Sequence, residues 1–303
     1  MTKVAVAWMM KEWAIMNRRL YIANPIAGRG KAKKRFPSAT HTTKAGDAEQ
    51  WAREAALSGE YDEVWAIGGD GTVNEVARGL VSAGNKDVAM GIVGIGSGNG
   101  FANHLKHNKV EGLVDVGWLE LEGGRREMFC CTCGVGFDAK VAADYARAGT
   151  RGLHTYVKAA LTDWFSYAPT HYNIYVEDAD GETEHISVKA LLVVCGNANQ
   201  WGNECHVTPQ AVVNDGLLDL TIVEPVKLTA LPKMLLQIFG YRFNKNSHVH
   251  TIRGSKITIT AARPVNVQYD GEVVCGADGA PIETRNIVLQ VQKDALRVVK
   301  RTR

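Results

Sequence analysis

Asp70 stands among glycines. In Ile67-Gly68-Gly69-Asp70-Gly71-Thr72-Val73-Asn74-Glu75 an apolar run, Val64-Trp65-Ala66-Ile67, passes into a helix-patterned run, Val73 to Leu80. The join is made of three glycines, a carboxylate and a hydroxyl. A turn from a buried strand into a helix leaves several backbone N–H groups unpaired and pointing one way, and glycines let an anion approach them without interference from Cβ. Asp70 would then face a metal or an attacking hydroxyl, and Thr72 and Asn74 would hydrogen-bond phosphate oxygens. That is the chemistry of a nucleotide phosphate site. An ordinary glycine-rich strand-to-helix turn has the same composition, so the rest of the chain must decide.

The elements needed to position such a turn are all present. Leu20 to Pro25 reads as a short buried strand, followed by a glycine and lysine loop, Ala27 to Lys31. That loop is not a Walker A motif, because Pro25 stands where glycine is required and Ala32 where serine or threonine is required. Asp47 to Leu57 has apolar residues at helical spacing behind an N-cap candidate, Asp47. Tyr61 to Ile67 is a second strand, Thr72 to Ala83 a helix, and Val88 to Ile95 a third strand. A second glycine-rich turn, Gly96-Ser97-Gly98-Asn99-Gly100, then enters a helix. Alternation of strand and helix predicts a parallel sheet with ligands at the carboxyl ends of its strands.

Near Val114 to Gly117 the rhythm changes. Glu127 to Cys133, Asn173 to Glu177, Ser187 to Cys195, Leu217 to Val223, Lys256 to Thr260 and Val265 to Tyr269 are strand-like runs at hairpin or loop spacing. They predict a mostly antiparallel second domain. Helical stretches fall at Ala139 to Phe165, broken near Gly149 to Gly152, and at Leu228 to Phe239. The expected division is an extension over 1–17, an α/β domain over 18–117, and a β domain over 118–286. Ile287 to Val291 and the basic tail, within 287–303, are expected to return to the first domain.

Composition narrows the class. The chain has 303 residues, 46% hydrophobic and 22% charged, with a formal net charge of +3, which gives no reason to expect nucleic acid as a partner. The six cysteines have no CxxC spacing and read as buried, reduced thiols of a cytoplasmic protein. No apolar run reaches the roughly 18 to 20 residues that span a bilayer.

Four motifs now stand in order: GGDGTVNE at Gly68 to Glu75, GSGNGFANHL at Gly96 to Leu105, Asn214-Asp215-Gly216-Leu217-Leu218-Asp219, and Tyr269-Asp270-Gly271-Glu272. Asn24-Pro25 and Cys133 to Ala139 add two more. With them the sequence resembles the diacylglycerol kinase catalytic-domain superfamily, which holds bacterial soluble diacylglycerol kinases, YegS-like lipid kinases and sphingosine kinases. The resemblance covers about Arg18 to Val298.

It implies an N-terminal α/β nucleotide-binding domain like that of NAD kinases and phosphofructokinases, and a C-terminal antiparallel β-sandwich, with the active site in the cleft between. It also implies a lipid kinase that moves the γ-phosphate of ATP to a hydroxyl of a membrane lipid, with Mg²⁺. Gly68, Gly69, Asp70, Gly71, Thr72, Val73 and Asn74 would hold ATP, with Thr42 and Ser97 as further contacts. Glu272 matches the family's proton acceptor. Asp70 either shares that role or holds the metal, and Asp138 is a further candidate for the same cleft. Asp215, with the carbonyls of Val212 and Leu217, matches a family metal site.

One departure stands out. Asn99 is followed by Gly100, where soluble diacylglycerol kinases commonly carry aspartate. The acceptor, a glycerolipid or a long-chain base, stays open, as do a homodimer, a soluble acceptor, and a silent nucleotide or lipid sensor. Two apolar stretches, Leu228 to Phe243 and Trp164 to Tyr167, are candidates for peripheral membrane contact.

Overall fold

The computed structural model describes residues 18–147, 160 and 162–299. The proposed extension over 1–17 and the helix break near Gly149 to Gly152 lie outside them. Four short strands, β1 (Arg19–Ala23), β2 (Thr40–His41), β3 (Glu63–Gly68) and β4 (Ala89–Gly94), form a parallel sheet in the order β2-β1-β3-β4. Helices α1 (Ala27–Arg35), α2 (Asp47–Ser58), α3 (Asp70–Ala83) and α4 (Gly100–His107) follow the strands in turn.

The continuous apolar run of β3 is what a strand covered on both faces requires. Val64 and Ala66 pack with Ala52, Val76 and Leu80 of α2 and α3, while Trp65 and Ile67 pack with Ala32 of α1. Two details differ from the sequence reading. Gly46, with φ of 87°, occupies the N-cap of α2, and the Asp47 carboxylate turns back to accept from the amides of Thr43 and Lys44. The glycine and lysine segment is also wound into α1, with Gly28, Arg29 and Gly30 left-handed inside it.

The remaining strands are β5 (Gly112–Leu121), β6 (Arg126–Phe129), β7 (Thr132–Gly136), β8 (Thr170–Glu177), β9 (Thr183–Ala190), β10 (Leu192–Gly196), β11 (Leu218–Val223), β12 (Val249–Gly254), β13 (Lys256–Tyr269), β14 (Glu272–Val273) and β15 (Glu283–Val298). Helix α5 (Phe137–Arg147) follows β7, and α6 (Leu231–Phe239) lies between β11 and β12. One layer runs β12-β11-β10-β7-β13 and the other holds β9, β8, β13, β15, β5 and β6, so β13 belongs to both.

A strand can serve two layers when a bulge bends it. In β13 the register shifts between Thr260 and Val265; the first half pairs with β8 and the second with β7. Lys256 to Thr260 and Val265 to Tyr269 are therefore one strand, not two. Ser187 to Cys195 is conversely two strands, which part at Leu191, as Glu127 to Cys133 parts between β6 and β7. The core between the layers includes Leu119, Phe129, Tyr172, Ile174, Leu220 and Ile257. β15 is longer than the Ile287 to Val291 expectation; it pairs with β5 and β13 and meets β4 in parallel at Val298 and Met90.

Candidate active site

The carboxyl ends of β3 and β4 carry the two glycine-rich turns, pressed together backbone to backbone. Ile95 N–H and Gly96 N–H both donate to the carbonyl of Gly68, at 2.8 and 3.2 Å. A Cβ on Gly96 would stand 2.4 Å from Cα of Gly69, so side chains are impossible at this contact. Asp70, in the first turn of α3, reaches across to the start of α4. Its Oδ1 accepts from Gly100 N–H at 2.7 Å and its Oδ2 from Asn99 N–H at 2.8 Å.

Asp70 therefore caps the neighbouring helix. Burial pushes its carboxyl up and these amide bonds oppose the shift. Val73 N–H donates to Gly69, which opens α3, so the amides before it remain aimed out of the helix end. Thr72 is buried with its hydroxyl against Gly68, and Ser97 is exposed on the second turn. Thr42 follows β2 at the same edge, its amide bonded to Ala23 at 2.9 Å. Asn74 points elsewhere: its amide group donates to the Met128 carbonyl at 3.0 Å and to Asp270 at 2.8 Å, joining α3 to the sandwich.

Facing this edge is the hairpin between β13 and β14. Asp270 and Gly271 have φ of 46° and 81°, and Tyr269 pairs with Glu272. Two left-handed loop residues are the mark of a type I′ turn, which favours Asp-Gly. The Asp270 carboxylate turns inward and accepts from the amides of Cys130, Cys131 and Thr132 at 2.7, 2.7 and 3.1 Å, besides Asn74. Desolvation still pushes it up to about 6. With Asp270 anchored, Glu272 projects outward, exposed, and its Oε1 comes within 3.1 Å of where a Cβ on Gly71 would stand. Two motifs two hundred residues apart in sequence meet there.

Asp138 lies behind this contact. It is 4% exposed at the start of α5, and burial pushes its carboxyl up to about 7. Its Oδ2 accepts from Nε2 of Gln268 at 3.0 Å, and Oε1 of Gln268 accepts from Gly271 N–H at 3.2 Å. Asp138 thus touches the hairpin through Gln268. Sequence reasoning missed Gln268 and the anchoring role of Asp270; the one signal for Gln268 was a polar residue at a strand position flanked by apolar ones.

Comparison with known proteins bears on this arrangement. Residues 131–300 match the YegS C-terminal NAD kinase beta sandwich-like domain, and residues 18–128 the diacylglycerol kinase catalytic domain. The chain belongs to the YegS and diacylglycerol kinase family of lipid kinases. Diacylglycerol kinase of Bacillus subtilis (strain 168) is 27% identical over 85% of this chain and 90% of its own length. A probable lipid kinase, YegS-like, of Yersinia pestis (strain Pestoides F) is 29% identical over 78% and 80%. The crystal structure of a diacylglycerol kinase from Bacillus anthracis str. Sterne shares the fold, with a TM-score of 0.63 and 19% identity over 94% of this chain and 97% of that one.

The Gly100 departure sits in tight surroundings. The segment Asn199 to Cys205 packs directly on the second glycine turn: Asn203 N–H donates to the Gly98 carbonyl at 3.0 Å, and Gly202, with φ of 115°, lies against Gly98. A Cβ on Gly100 would meet Gly202 N at 3.2 Å and both Cys131 Sγ and the Gln200 carbonyl at 3.3 Å. A side chain there requires these neighbours to give by a few tenths of an ångström. Cys130, Cys131, Cys133 and Cys195 are buried with thiols pushed up by desolvation, and all six cysteines are free.

At the family's metal position, Asp215 Oδ1 accepts from Leu217 N–H at 3.1 Å, and its other oxygen is paired with the Arg253 guanidinium, which also reaches Asp219 at 3.2 Å. Val212 is exposed. A dication would have to share a carboxylate that Arg253 already neutralises, so the residues here do not fit Mg²⁺ in this arrangement. Among the described residues no group of three or more His, Cys, Asp or Glu could hold a metal ion. Asp70 has no cationic partner among the described residues, but both its oxygens accept backbone amides, so a Mg²⁺ at this turn would use their remaining lone pairs together with phosphates and water.

Proposed function

We propose that the protein transfers the γ-phosphate of ATP to a hydroxyl of a membrane glycerolipid, with diacylglycerol the first acceptor to try. The reading rests on one observation, the approach of Glu272 Oε1 to Gly71 at the mouth of the phosphate turn. The outward amides of α3 bind the phosphates, and the Gly69 to Gly96 contact keeps the two turns in fixed relation. Glu272 takes the proton from the acceptor hydroxyl as its oxygen bonds to the γ-phosphorus; the bond to the bridging oxygen breaks and ADP leaves with that electron pair. Mg²⁺, held with the phosphates by Asp70, would neutralise charge on the transferring group. Gln268 and Asp270 hold the hairpin so that Glu272 is aimed.

Among the described residues no helix is long and apolar enough to cross a membrane; the proposed acceptor is reached at a bilayer surface. The test is transfer of labelled γ-phosphate into a diacylglycerol dispersion by the wild type and by Glu272→Gln. Glu272 is exposed, so the variant folds. Its turnover falls by roughly 10² to 10⁴ with ATP affinity unchanged. Undiminished turnover removes Glu272 from the role.

A further inference from the structure

The outward face of α6 breaks the rule for a surface helix. Met234 and Ile238 pack inward on Val194, Val223 and Phe243, which satisfies one apolar stripe. The opposite face should be polar. It carries Leu235, Leu236 and Phe239, 53%, 77% and 55% exposed. Leu228 before the helix and Tyr241 after it are 47% and 44% exposed and extend the patch.

The charge carried by the patch's own segment has one sign. From Pro225 to Tyr269 the sequence holds seven Lys and Arg and no Asp or Glu. Lys227, Lys233, Arg242 and Lys245 are exposed around the helix, and none is in an ion pair among the described residues. Glu224, just before the segment, is engaged by His248 and His250. Apolar side chains among unpaired cations, with the Glu204 carboxylate near Tyr241 drawn toward His107 and His206, complement an anionic lipid surface.

The patch is also tied to the site. Ile238, on the inward side of α6, accepts from His206 N–H at 3.2 Å, and the Tyr241 ring stacks on His206 at 3.4 Å between centroids. His206 ends the segment whose Gly202 packs on Gly98. A short path of one hydrogen bond, one ring stack and one backbone contact thus connects the exposed helix to the second glycine turn.

We infer that α6 docks this protein on anionic bilayers, with Leu235, Leu236 and Phe239 entering the interface and Lys233 and Arg242 facing the headgroups. The inference rests on the lipid kinase reading for its purpose, but its test needs no turnover. The full chain is sedimented without ATP with phosphatidylglycerol vesicles and with phosphatidylcholine vesicles. The wild type binds phosphatidylglycerol more tightly, and the difference shrinks as salt is raised. Leu236→Ser with Phe239→Ser lowers apparent affinity about tenfold or more, and Lys233→Glu with Arg242→Glu does so on phosphatidylglycerol only. Glu272→Gln sediments as the wild type does. An unchanged thermal unfolding midpoint and circular dichroism spectrum of the serine variant exclude misfolding as the cause.

Equal sedimentation of all variants overturns the inference. So does a self-associated wild type that binds no vesicles and is dissociated by the serine pair, since the patch would then cover a second copy of the chain. A wild type that docks but transfers no phosphate to any diacylglycerol refutes the kinase reading and leaves the docking surface standing.

Discussion

Two Asp-Gly turns of the sandwich, Asp215-Gly216 and Asp270-Gly271, present the same dipeptide to opposite surroundings. Asp270 is closed in by three backbone amides and the Asn74 side chain, and it spans the junction between the parallel sheet and the sandwich. Asp215 faces outward, with one amide and the half-exposed Arg253 as partners. Gly216 and Gly271 are both left-handed, at 74° and 81°, so the backbone does not distinguish them. What a carboxylate does is set by the donors that distant segments bring to it.

The comparison breaks if both aspartates cost the same to remove. Asp270→Ala strands three amides and an Asn74 donor, and lowers unfolding free energy by about 3 to 4 kcal/mol in urea titration. In the proposed mechanism loss of lipid phosphorylation accompanies it, because Glu272 is no longer aimed.

Asp138 sharpens the point at the next remove. Its carboxyl ionises near 7 in the folded chain against an ordinary value of 3.8, so the folded state binds the extra proton between those values. This contribution is fully present below pH 3.8 and is lost as pH rises through 7. The urea midpoint of the wild type therefore falls between pH 5 and pH 8, and in Asp138→Asn that fall is smaller. An unchanged slope would place the titration elsewhere.

Asp215→Ala should matter least, at about 0 to 1 kcal/mol, as for other partly exposed ion pairs. With Arg253 supplying the positive charge, a chelator added to the purified wild type leaves its thermal midpoint where it was. A midpoint raised by several degrees on adding Mg²⁺, and lost in Asp215→Ala, would restore the metal to this turn.

The sequence made the parallel sheet and both glycine turns legible because their signals are local: apolar runs in β3 and β4, glycines at the joins, helical spacing in α2 and α3. Motif order also suggested one site for Glu272 and Asp70, and the fold brings Glu272 to Gly71, next to Asp70. It failed where partners are remote. Nothing near Asn74 indicates that its amide is spent on Asp270, and nothing near Asp215 announces Arg253. Strand boundaries failed for a related reason. Whether Lys256 to Tyr269 is one strand or two depends on the layers it joins, and the β9 to β10 break at Leu191 leaves no turn residues in the sequence.

The reach of β15 has a consequence for how the chain is made. The β4 edge of the parallel sheet is completed by Val298 and Val299 against Met90, and β5 finds its long partner in the same strand. Synthesis runs from the N-terminus, so the parallel-sheet half leaves the ribosome with an open edge and waits, through every strand of the sandwich, for Glu283–Val298 to close it. Pairings this distant in sequence fold slowly, and an unpaired edge recruits other chains. The first half should therefore aggregate when expressed alone, and be rescued by supplying the β15 segment in trans.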